Sequence, residues 1–592
     1  MAVEKLITDH IDIWTSALQT RSTAGRGSNG KIDLYGIKKL RELILELAVR
    51  GKLVPQDPND EPASELLKRI AAEKAELVKH GKIKKQKPLP EISEDEKPFE
   101  LPEGWECARL GNTVAIIRGI TFPASEKHKE PSKGKIACLR TANVQDSIEW
   151  DDLLYVSESF VKRSEQFAEK GDIVMSMANS RELVGKVAYI YNIPTGSATF
   201  GGFLSVIRPY GFNAAFLMSV LRSPNIKSIL IDSSSQTTNI ANISLEKLNP
   251  LVISVPPIGE QNRIASKVEE LMSLCDQLEQ QSLTSLDAHQ QLVETLLATL
   301  TDSQNAEELT ANWARISQYF DTLFTTEASI DALKQTILQL AVMGKLVSQD
   351  PNDESASNLL ERISAEKKLL IKQKAIKKSQ LMLPIDELDL PFDLPLGWQW
   401  IQLGDVCYVI ADGPHFSPNY VDKNEGVAFL SARNISVESI DLTTAKYVSR
   451  EDHENFCKRV RIRKGDILYT KGGTTGIAKV NDIDTEFSVW VHVAVLQIPL
   501  DKVFNEYLAL TLNSLHCYEQ SQKYTHGIGN KDLGLTRMIN ITIPLPPISE
   551  QYRIVTKANQ LLALCDTLKS RLQSALQTRL QLADALTDAA LN

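Results

Sequence analysis

The sequence predicts an α+β fold in which two similar globular domains are separated and flanked by long helices. Three observations support this: a repeat with an offset of 290 to 293 residues, alternating helical and β-rich composition, and heptad spacing of apolar residues after each β-rich region. We expect the two long helices to pair as an antiparallel coiled coil. The chain would then have an internal pseudo-twofold repeat with two similar ends.

The repeat consists of short segments that are almost identical in the two halves of the chain. The first reads Gly-Lys-Leu-Val-x-Gln-Asp-Pro-Asn-Asp-Glu, the second Leu-Pro-x-Gly-Trp, and the third Pro-Pro-Ile-x-Glu-Gln-x-Arg-Ile. They lie at 51–61 and 344–354, at 101–105 and 394–398, and at 256–264 and 546–554.

The composition alternates along the chain, and this predicts its division into domains. Short β-rich runs separated by Gly, Asn, Ser and Pro follow the first Leu-Pro-x-Gly-Trp segment, at 114–117, 172–175, 187–190 and 204–207, with a helix near 214–221, and the region after the second segment is similar in composition. Each β-rich region has about 155 residues, a usual domain size. The predicted segments are an N-terminal helical region with its linker (1–100), a first globe (101–257), a central helical region (258–393), a second globe (394–547) and a C-terminal helix (548–592).

Apolar residues after each globe alternate by 3 and 4, which predicts long helices with a coiled-coil face. In the first copy the residues with this spacing begin at Val268, and in the second copy they run from Ala558 to Ala589. His289 and Arg579 occupy equivalent polar positions within the pattern. They either set the helix register or lie on the surface near a frayed end.

Charge and cysteine content restrict the class of protein. The formal net charge is −9, and Lys plus Arg against Asp plus Glu is 16 against 15 in 101–257 and 15 against 17 in 394–547. Neutral globes mean that any DNA binding must depend on local patches or on partners. Seven cysteines without a Cys-x-x-Cys pair, no membrane-spanning run and no signal peptide indicate a reducing cytoplasm.

No catalytic motif is complete in this sequence. Residues 25–32 nearly match a phosphate-binding loop, but Ile32 replaces the required Ser or Thr and no strand precedes it. Residues 199–203 (Thr-Phe-Gly-Gly-Phe) lack the strand-turn-helix context of a methyl-donor loop, so we expect a turn. Asp172 and Asp466 lie in matching Lys-Gly-Asp turns and are predicted to form those turns rather than to act as acids.

The globes differ most in their loops. Equivalent loops in the two copies retain Arg, Lys, Asn, Gln, Ser and Thr but change their positions, as at 176–181 against 470–476. These side chains contact base edges and phosphates in protein–DNA complexes. A single loop of this kind is usually a solvated turn, whereas its recurrence in both copies favours binding.

Segments that open and close the globes resemble those of the DNA-specificity subunits of type I restriction-modification enzymes. The resemblance rests on Leu-Pro-x-Gly-Trp at each entry, Pro-Pro-Ile with Glu-Gln-x-Arg-Ile at each exit, and Asp-Gly-Pro-His-Phe-Ser-Pro at 412–418. The first copy departs from the last motif, since 118–123 reads Arg-Gly-Ile-Thr-Phe-Pro. The helical segments before the globes are similar to the branch of the family with large N-terminal helical regions.

The resemblance implies two target-recognition domains, each of which recognises half of an asymmetric, split sequence in double-stranded DNA. Helical spacers would set the gap and dock two methyltransferase subunits, and two motor-nuclease subunits would complete the enzyme. The chain itself would be non-catalytic and cofactor-free, with S-adenosylmethionine, ATP and Mg on partner subunits. Two alternatives remain at this point. One is a self-sufficient methyltransferase or nuclease, and the other is a coiled-coil protein–protein adaptor without DNA specificity.

Residues for these roles follow from the loops and the heptad positions. The expected DNA-binding residues are Arg140, Asn179, Arg181 and Gln236 in the first globe and Arg433, Lys471, Thr474, His526 and Asn530 in the second. The expected subunit-interface residues are Leu271, Cys275, Leu278, Leu561, Cys565 and Leu568. No metal site is expected.

Overall fold

A computed structural model describes residues 3–21, 31–80, 83, 87–181, 183–232, 234–236, 241–377, 381–386, 390–525 and 532–591. The chain forms two compact units. The first contains Met1–Thr20, Ile32–Leu283 and Leu576–Asn592, and the second contains Arg21–Lys31 and Thr284–Ala575. The two units do not coincide with the five predicted segments, because each long helix begins in one unit and ends in the other. The five segments stay a prediction.

Helices and short strands alternate in the first half of the chain. The helices are α1 (Val3–Asp9), α2 (Ile11–Ser16), α3 (Tyr35–Val49), α4 (Ala63–Lys79), α5 (Leu110–Thr113), α6 (Ala214–Arg222), α7 (Pro224–Asp232), α8 (Leu245–Leu248) and α9 (Ile258–Asp302). The strands are β1 (Gln19–Arg21), β2 (Lys31–Asp33), β3 (Glu106–Arg109), β4 (Val114–Arg118), β5 (Lys135–Leu139), β6 (Leu154–Ser157), β7 (Ile173–Ser176), β8 (Ala178–Asn179), β9 (Val187–Tyr189), β10 (Ala198–Phe200), β11 (Leu204–Pro209), β12 (Ser235–Gln236), β13 (Ala241–Asn242) and β14 (Val252–Val255).

The second half follows a similar order, although its described residues include no counterpart of β1, β2, β8, β12 or β13 and contain an additional helix, α15 (Arg450–Cys457). Its helices are α10 (Ala306–Gln318), α11 (Phe320–Leu323), α12 (Glu327–Val342), α13 (Ala356–Lys372), α14 (Leu403–Val406), α15 (Arg450–Cys457), α16 (Asn505–Leu512), α17 (Leu515–Lys523), α18 (Leu535–Met538) and α19 (Ile548–Leu591). Its strands are β15 (Gln399–Gln402), β16 (Val409–Asp412), β17 (Val427–Leu430), β18 (Lys446–Val448), β19 (Ile467–Thr470), β20 (Ala478–Val480), β21 (Phe487–Val489), β22 (Val493–Gln497) and β23 (Thr542–Leu545).

Three sheets have the same topology in the two globes, and the first globe has in addition the three-stranded sheet β12-β13-β8. A four-stranded antiparallel sheet has the order β4-β11-β7-β9 in the first globe and β16-β22-β19-β20 in the second. A three-stranded sheet with one parallel pair follows in each, β10-β5-β6 and β18-β17-β21. The entry and exit strands pair in both, as β14-β3 and β15-β23. The expected mixed fold of two sheet-rich domains with long helices is confirmed.

Buried apolar residues of the sheets form the core of each globe. In the first globe, Val174, Phe200 and Val206 are fully buried in one cluster, and in the second Leu468 and Val495 occupy a similar cluster. These residues come from the short β-rich runs of the sequence, which the hydrophobic effect drives to the shared interior of the sheets. The loops at the strand ends are therefore held by a rigid base.

The three repeated segments meet at one place in the first unit, which we call the first motif cluster (51–61, 101–105 and 256–264). Trp105 donates a hydrogen bond from Nε1 to Glu260 Oε2 at 2.9 Å, joining the second segment to the third. Arg263 pairs with Asp60 at 2.7 Å, joining the third to the first. Gly51 has φ +69° and lies against Trp105, so only glycine fits there easily.

The second motif cluster (344–354, 394–398 and 546–554) repeats these contacts in the second unit. Trp398 donates to Glu550 Oε2 at 3.0 Å, and Arg553 pairs with Asp353 at 2.7 Å. Gly344 has φ +68° beside Trp398. The repeated motifs are therefore structural: they fasten each helical pair to the entry and exit of its globe.

The lysine of each Gly-Lys-Leu-Val segment holds the end of a long helix. In the first unit, Lys52 donates from Nζ to Leu591 O of α19 at 2.7 Å. In the second unit, Lys345 donates to Thr301 O at 2.6 Å and Ser303 O at 2.9 Å, at the end of α9. A cation at a helix C-terminus satisfies free carbonyls and interacts favourably with the helix dipole. Each copy thus caps the long helix of the other copy.

The two Lys-Gly-Asp turns differ in their partners. Arg208 binds Asp172 through two hydrogen bonds of 2.7 and 2.8 Å, whereas at the equivalent position Gln497 donates to Asp466 Oδ2 at 2.8 Å. Both aspartates also accept a backbone hydrogen bond within the turn. Without a cation partner in direct contact, burial raises the pKa of Asp466. The turn-forming role predicted for both aspartates agrees with these contacts.

Candidate nucleic-acid interface

Several strand ends of the first globe meet at one edge. Gly201 N donates to Leu139 O at 2.9 Å, and Met177 N donates to Phe203 O at 2.8 Å. These bonds join the turn after β10 to the ends of β5 and β7. We call residues 118–121, 139–144, 177–181 and 201–203 the first loop edge.

The second globe has an equivalent edge with different side chains. Trp490 N donates to Leu430 O at 2.8 Å, and Lys471 N donates to His492 O at 2.9 Å. We call residues 412–416, 430–435, 471–475 and 490–492 the second loop edge. The same backbone contacts therefore present Met177 and Phe203 in one globe and Lys471 and His492 in the other.

Arg140, Asn179 and Arg181 lie on the first loop edge. Arg140 is one-third exposed and binds Asp152 Oδ2 at 2.6 Å. The Arg181 guanidinium is 3.7 Å from Asp232 Oδ1, with both side chains more than half exposed, so this ion pair is weak. All three predicted residues therefore belong to segments of this edge.

Gln236 is connected to this edge through its backbone. It pairs with Ala241 of β13, which in turn pairs with Asn179 of β8. The side chain of Gln236 lies outside the part of the chain whose side chains the structure describes.

The sequence predicted that Lys471 contacts DNA, but its side chain is buried. Only 2% of its side chain is exposed, and Nζ lies 2.9 Å from Asp532 Oδ1 and 3.4 Å from the buried Asp412. A buried lysine paired with two carboxylates has its charge already balanced. The sequence could not reveal this, because Asp412 and Asp532 are distant along the chain.

The other predicted residues of the second globe divide into two groups. Arg433 and Thr474 are exposed on the second loop edge. His526 and Asn530 lie outside the described residues, as does most of the phosphate-loop-like segment at 25–32.

A cavity of about 370 Å³ adjoins the second loop edge, within the motif at 412–418. It is lined by Gly413, Pro414, His415, Phe416, Asn455, Phe456 and Arg459. Arg459 and His415 both contact the buried carboxylate of Asp412, the latter at 3.2 Å. The motif marked this region in the sequence, but nothing there indicated that Arg459, 47 residues away from Asp412, would complete it.

Gly413 and Gly119 are shared by the two versions of this motif for a steric reason. A Cβ at Gly413 would lie 1.7 Å from Val489 O, and one at Gly119 would lie 2.2 Å from Gly201 O. The backbones are too close for any side chain. The flanking residues, Arg118 and Asp412, are under no such restriction and differ.

The six heptad residues expected at a subunit interface pack inside the chain. Leu271, Cys275 and Leu278 are buried in the first unit, where the neighbouring Asp276 and Glu279 bind Arg41 of α3. Cys565 is buried in the second unit, with Leu561 and Leu568 packed against the same cluster. Their packing contributes to the fold of the chain, and their place at a subunit interface stays a prediction. All seven cysteines are free thiols.

Among the described residues, His453, Glu454 and Glu486 are a group with metal-ligand spacing. Arg450 and Arg461 bind Glu486 at 2.5 and 3.2 Å, and Arg461 also binds Glu454. The hydrogen bond from Arg450 lowers the pKa of Glu486, and burial lowers that of His453. Both carboxylates already have cation partners, so the geometry is that of an ion-pair network.

Comparison with known proteins identifies the family. The model of the type I restriction modification DNA specificity domain matches residues 102–288 and 395–578, which together make up more than half of the chain. The chain belongs to this family. As a type I specificity subunit, it is a non-catalytic component of a restriction-modification system and has two DNA-recognition domains, one for each matched region.

Two relatives of this specificity subunit extend along its whole length. The chain is 48% identical to the type I restriction enzyme EcoAI specificity subunit and 47% identical to the EcoEI specificity subunit, both of Escherichia coli. Each alignment covers 100% of both chains. The HsdS subunit of Thermoanaerobacter tengcongensis, a crystal structure, aligns over 84% of this chain and 98% of its own at 19% identity, with a TM-score of 0.40.

Within the described part of the specificity subunit, no helix combines the length and apolar character needed to cross a bilayer.

Proposed function

We propose that each globe of this specificity subunit contacts one half of an asymmetric, split target in double-stranded DNA through its loop edge. The observation that carries this proposal is that the two loop edges share their backbone hydrogen bonds but not their side chains. Similar scaffolds with different polar and aromatic groups are suited to recognising different base sequences.

Exposed and half-buried polar side chains on the two edges supply the contacts. Arg140, Asn179 and Arg181 in the first globe, with Arg433 and Thr474 in the second, can bind phosphates or base edges. Gln236, His526 and Asn530 remain part of the proposal from the sequence. Lys471 instead fixes the loop that carries Thr474, because its ammonium group holds Asp412 and Asp532.

We further propose that α9 and α19 form an antiparallel coiled coil with pseudo-twofold symmetry, and that this spacer sets the gap between half-sites. The reciprocal caps support it: Lys52 binds the end of α19, and Lys345 binds the end of α9. In the second unit, Val293 and Leu297 of α9 share an apolar cluster with Ala558 of α19. Rigid spacing of two modules determines half-site separation.

The proposed partners are two methyltransferase and two motor-nuclease subunits, which would carry S-adenosylmethionine, ATP and Mg and act in the cytoplasm. Because the heptad residues pack against other parts of the same chain, we expect the methyltransferase subunits to contact other faces of the helices. Positive charge on partner surfaces would compensate for the near-neutral globes.

The test is an exchange of loops in a cell that contains the methyltransferase partners. Replacing the side chains of the first loop edge with their equivalents from the second should change one half of the methylated sequence, and the matched exchange in the second globe should change the other. Genome-wide mapping of methylated adenines measures both halves and the gap. A change in both halves, or in neither, from one exchange would contradict the proposal.

A further inference from the structure

Phe203 is an exposed aromatic residue held by a rigid backbone. Its side chain is 70% exposed, while the next residue, Leu204, is fully buried at the start of β11. Leu204 N donates to Gly201 O at 2.8 Å, and Met177 N donates to Phe203 O at 2.8 Å. A ring presented from a fixed backbone loses little conformational freedom on binding.

The glycines before Phe203 make this turn tight. A Cβ at Gly202 would lie 3.0 Å from Thr121 Cγ2. In the facing segment, a Cβ at Gly119 would lie 2.2 Å from Gly201 O. The turn therefore has little freedom to move and bury the ring. The sequence indicated only a turn at 199–203, since exposure of its final residue depends on the tertiary contacts.

Phe203 lies within the interface proposed for DNA. The first loop edge, to which it belongs, also contains Arg140, Asn179 and Arg181, the residues proposed to bind phosphates and base edges. An isolated exposed apolar residue needs no explanation, but the backbone of this one is fixed within the proposed interface.

We propose that Phe203 is a specificity-determining residue that packs against the 5-methyl group of a thymine in the half-site bound by the first globe. This inference rests on the proposed function. Thymine alone presents an apolar group on its major-groove edge, and phenylalanine is among the side chains that contact it.

The second globe has His492 at the equivalent position. Its ring forms an edge contact with Trp490, at 4.9 Å between centroids, and lies over Gly472. An imidazole can donate or accept a hydrogen bond, so the second globe has a ring with hydrogen-bonding capacity where the first globe has an apolar one. This difference fits two dissimilar half-sites.

The experiment measures the affinity of the complex of this chain with its methyltransferase subunits for target duplexes. Thymines of the first half-site are replaced one at a time by uracil, which removes only the methyl group. One replacement should weaken wild-type binding about tenfold, whereas Phe203→Ala should bind about tenfold more weakly and be insensitive to that replacement. The salt dependence of Phe203→Ala should equal that of wild type, because no phosphate contact is lost.

Tyr191→Ala is the matched control. Tyr191 is 68% exposed in the same globe but lies at the opposite end of the sheet, beside the Lys-Gly-Asp turn where Gly171 N donates to Ile190 O. This variant should bind like wild type. Uracil replacement without effect on wild type, or with the same effect on Phe203→Ala, overturns the inference.

Arg181→Ala separates this inference from the proposed function. It should weaken binding and lower the slope of log affinity against log salt by about 0.9. If Arg181→Ala behaves so and Phe203→Ala binds normally, only the thymine contact is wrong. If Arg181→Ala, Arg140→Ala and Phe203→Ala all bind normally, the loop edge is not the interface and both proposals fail.

Discussion

Single hydrogen bonds explain why particular residues recur in the two copies. The indole of Trp105 donates to Glu260, and that of Trp398 donates to Glu550, so the tryptophan of each entry motif and the glutamate of each exit motif depend on each other. Both carboxylates are 1% exposed. Burial raises the pKa of each, since the ionised form is poorly solvated there.

Glu260→Gln should therefore stabilise the first unit at neutral pH. A raised pKa means that the folded state holds the proton more readily than the unfolded state, so stability from this site is present at low pH and is lost as pH rises through the raised pKa. The amide keeps an acceptor for Trp105. We expect the thermal midpoint to rise by about 1–3 °C at pH 7 and to change less near pH 4, measured by differential scanning calorimetry. Glu103→Gln, at an exposed position, should change neither value; a lower midpoint for Glu260→Gln at pH 7 would contradict the sign.

Gly413→Ala should unfold the second globe. Its Cβ would overlap Val489 O, so the backbone must move, and we expect a loss of about 4 kcal/mol or more. Gly534→Ala is the control, because the nearest atom to its Cβ is the flexible Arg537 side chain at 3.4 Å, and we expect about 1 kcal/mol or less. Urea denaturation followed by tryptophan fluorescence compares the two variants. Equal losses would show that the close approach at Gly413 is unimportant.

Strands and turns show how equivalent elements can be stabilised differently. The turn before β7 uses the Asp172–Arg208 ion pair, and the turn before β19 uses the neutral donor Gln497. Arg208→Gln should consequently give the first globe the glutamine–aspartate contact that the second globe has between Gln497 and Asp466. We expect a loss of about 3 kcal/mol for Arg208→Ala, which leaves a buried carboxylate without its cation, and about half of that for Arg208→Gln. Calorimetric unfolding of the two variants measures this; a greater loss for glutamine than for alanine would be inconsistent with it.

Two residues in the loop after β19 are expected to have separate effects, one on stability and the other on DNA binding. Lys471→Met removes the cation between Asp412 and Asp532 and should lower stability by about 3 kcal/mol. Thr474→Ala, three residues away and exposed, should leave stability within about 0.5 kcal/mol but weaken DNA binding. Urea denaturation and binding to the mapped target give the two readouts. If Lys471→Met were fully stable and bound DNA poorly, the sequence-based role for Lys471 would be correct after all.

Periodicity and turn residues predicted the elements that depend on local sequence. Strands near 114–117, 172–175, 187–190 and 204–207, the helix near 214–221 and both long helices are present. The environments of Lys471, Arg459 and Phe203 were not predictable, because each depends on residues brought together only by the sheets. Burial of Lys471 needs Asp532, 61 positions away, and exposure of Phe203 needs a turn fixed by Leu139 and Met177.

At the scale of the whole molecule, each long helix belongs to both units. The first unit contains α9 up to Leu283 and α19 from Leu576, and the second contains the remaining parts. The proposed spacer therefore lies around these two boundaries, at equivalent positions of the repeat.

Inserting one heptad at both boundaries, after Leu283 and after Ala575, should lengthen the gap in the DNA target. Seven helical residues add about 10 Å, or about three base pairs, while the heptad pattern is preserved. Mapping of methylated sites measures the new gap, and both half-sites should stay unchanged. An insertion in α9 alone should disturb the helix register and reduce assembly; an unaltered gap after the double insertion would refute the spacer role.

The pairing of entry and exit strands has a consequence for how this chain could be engineered. Arg109 of β3 lies opposite Val252 of β14, so the 142 residues of 110–251 begin and end at neighbouring points. A two-residue Asn-Gly hairpin turn could close that opening, leaving the Trp105–Glu260 bond and the helices in place. The first globe is thus an insertion between two paired strands, and a chain designed without it must replace the contacts that α3 and α4 make with it, from Glu46 to Asn225 N and from Lys74 to Gly111 O and Val114 O.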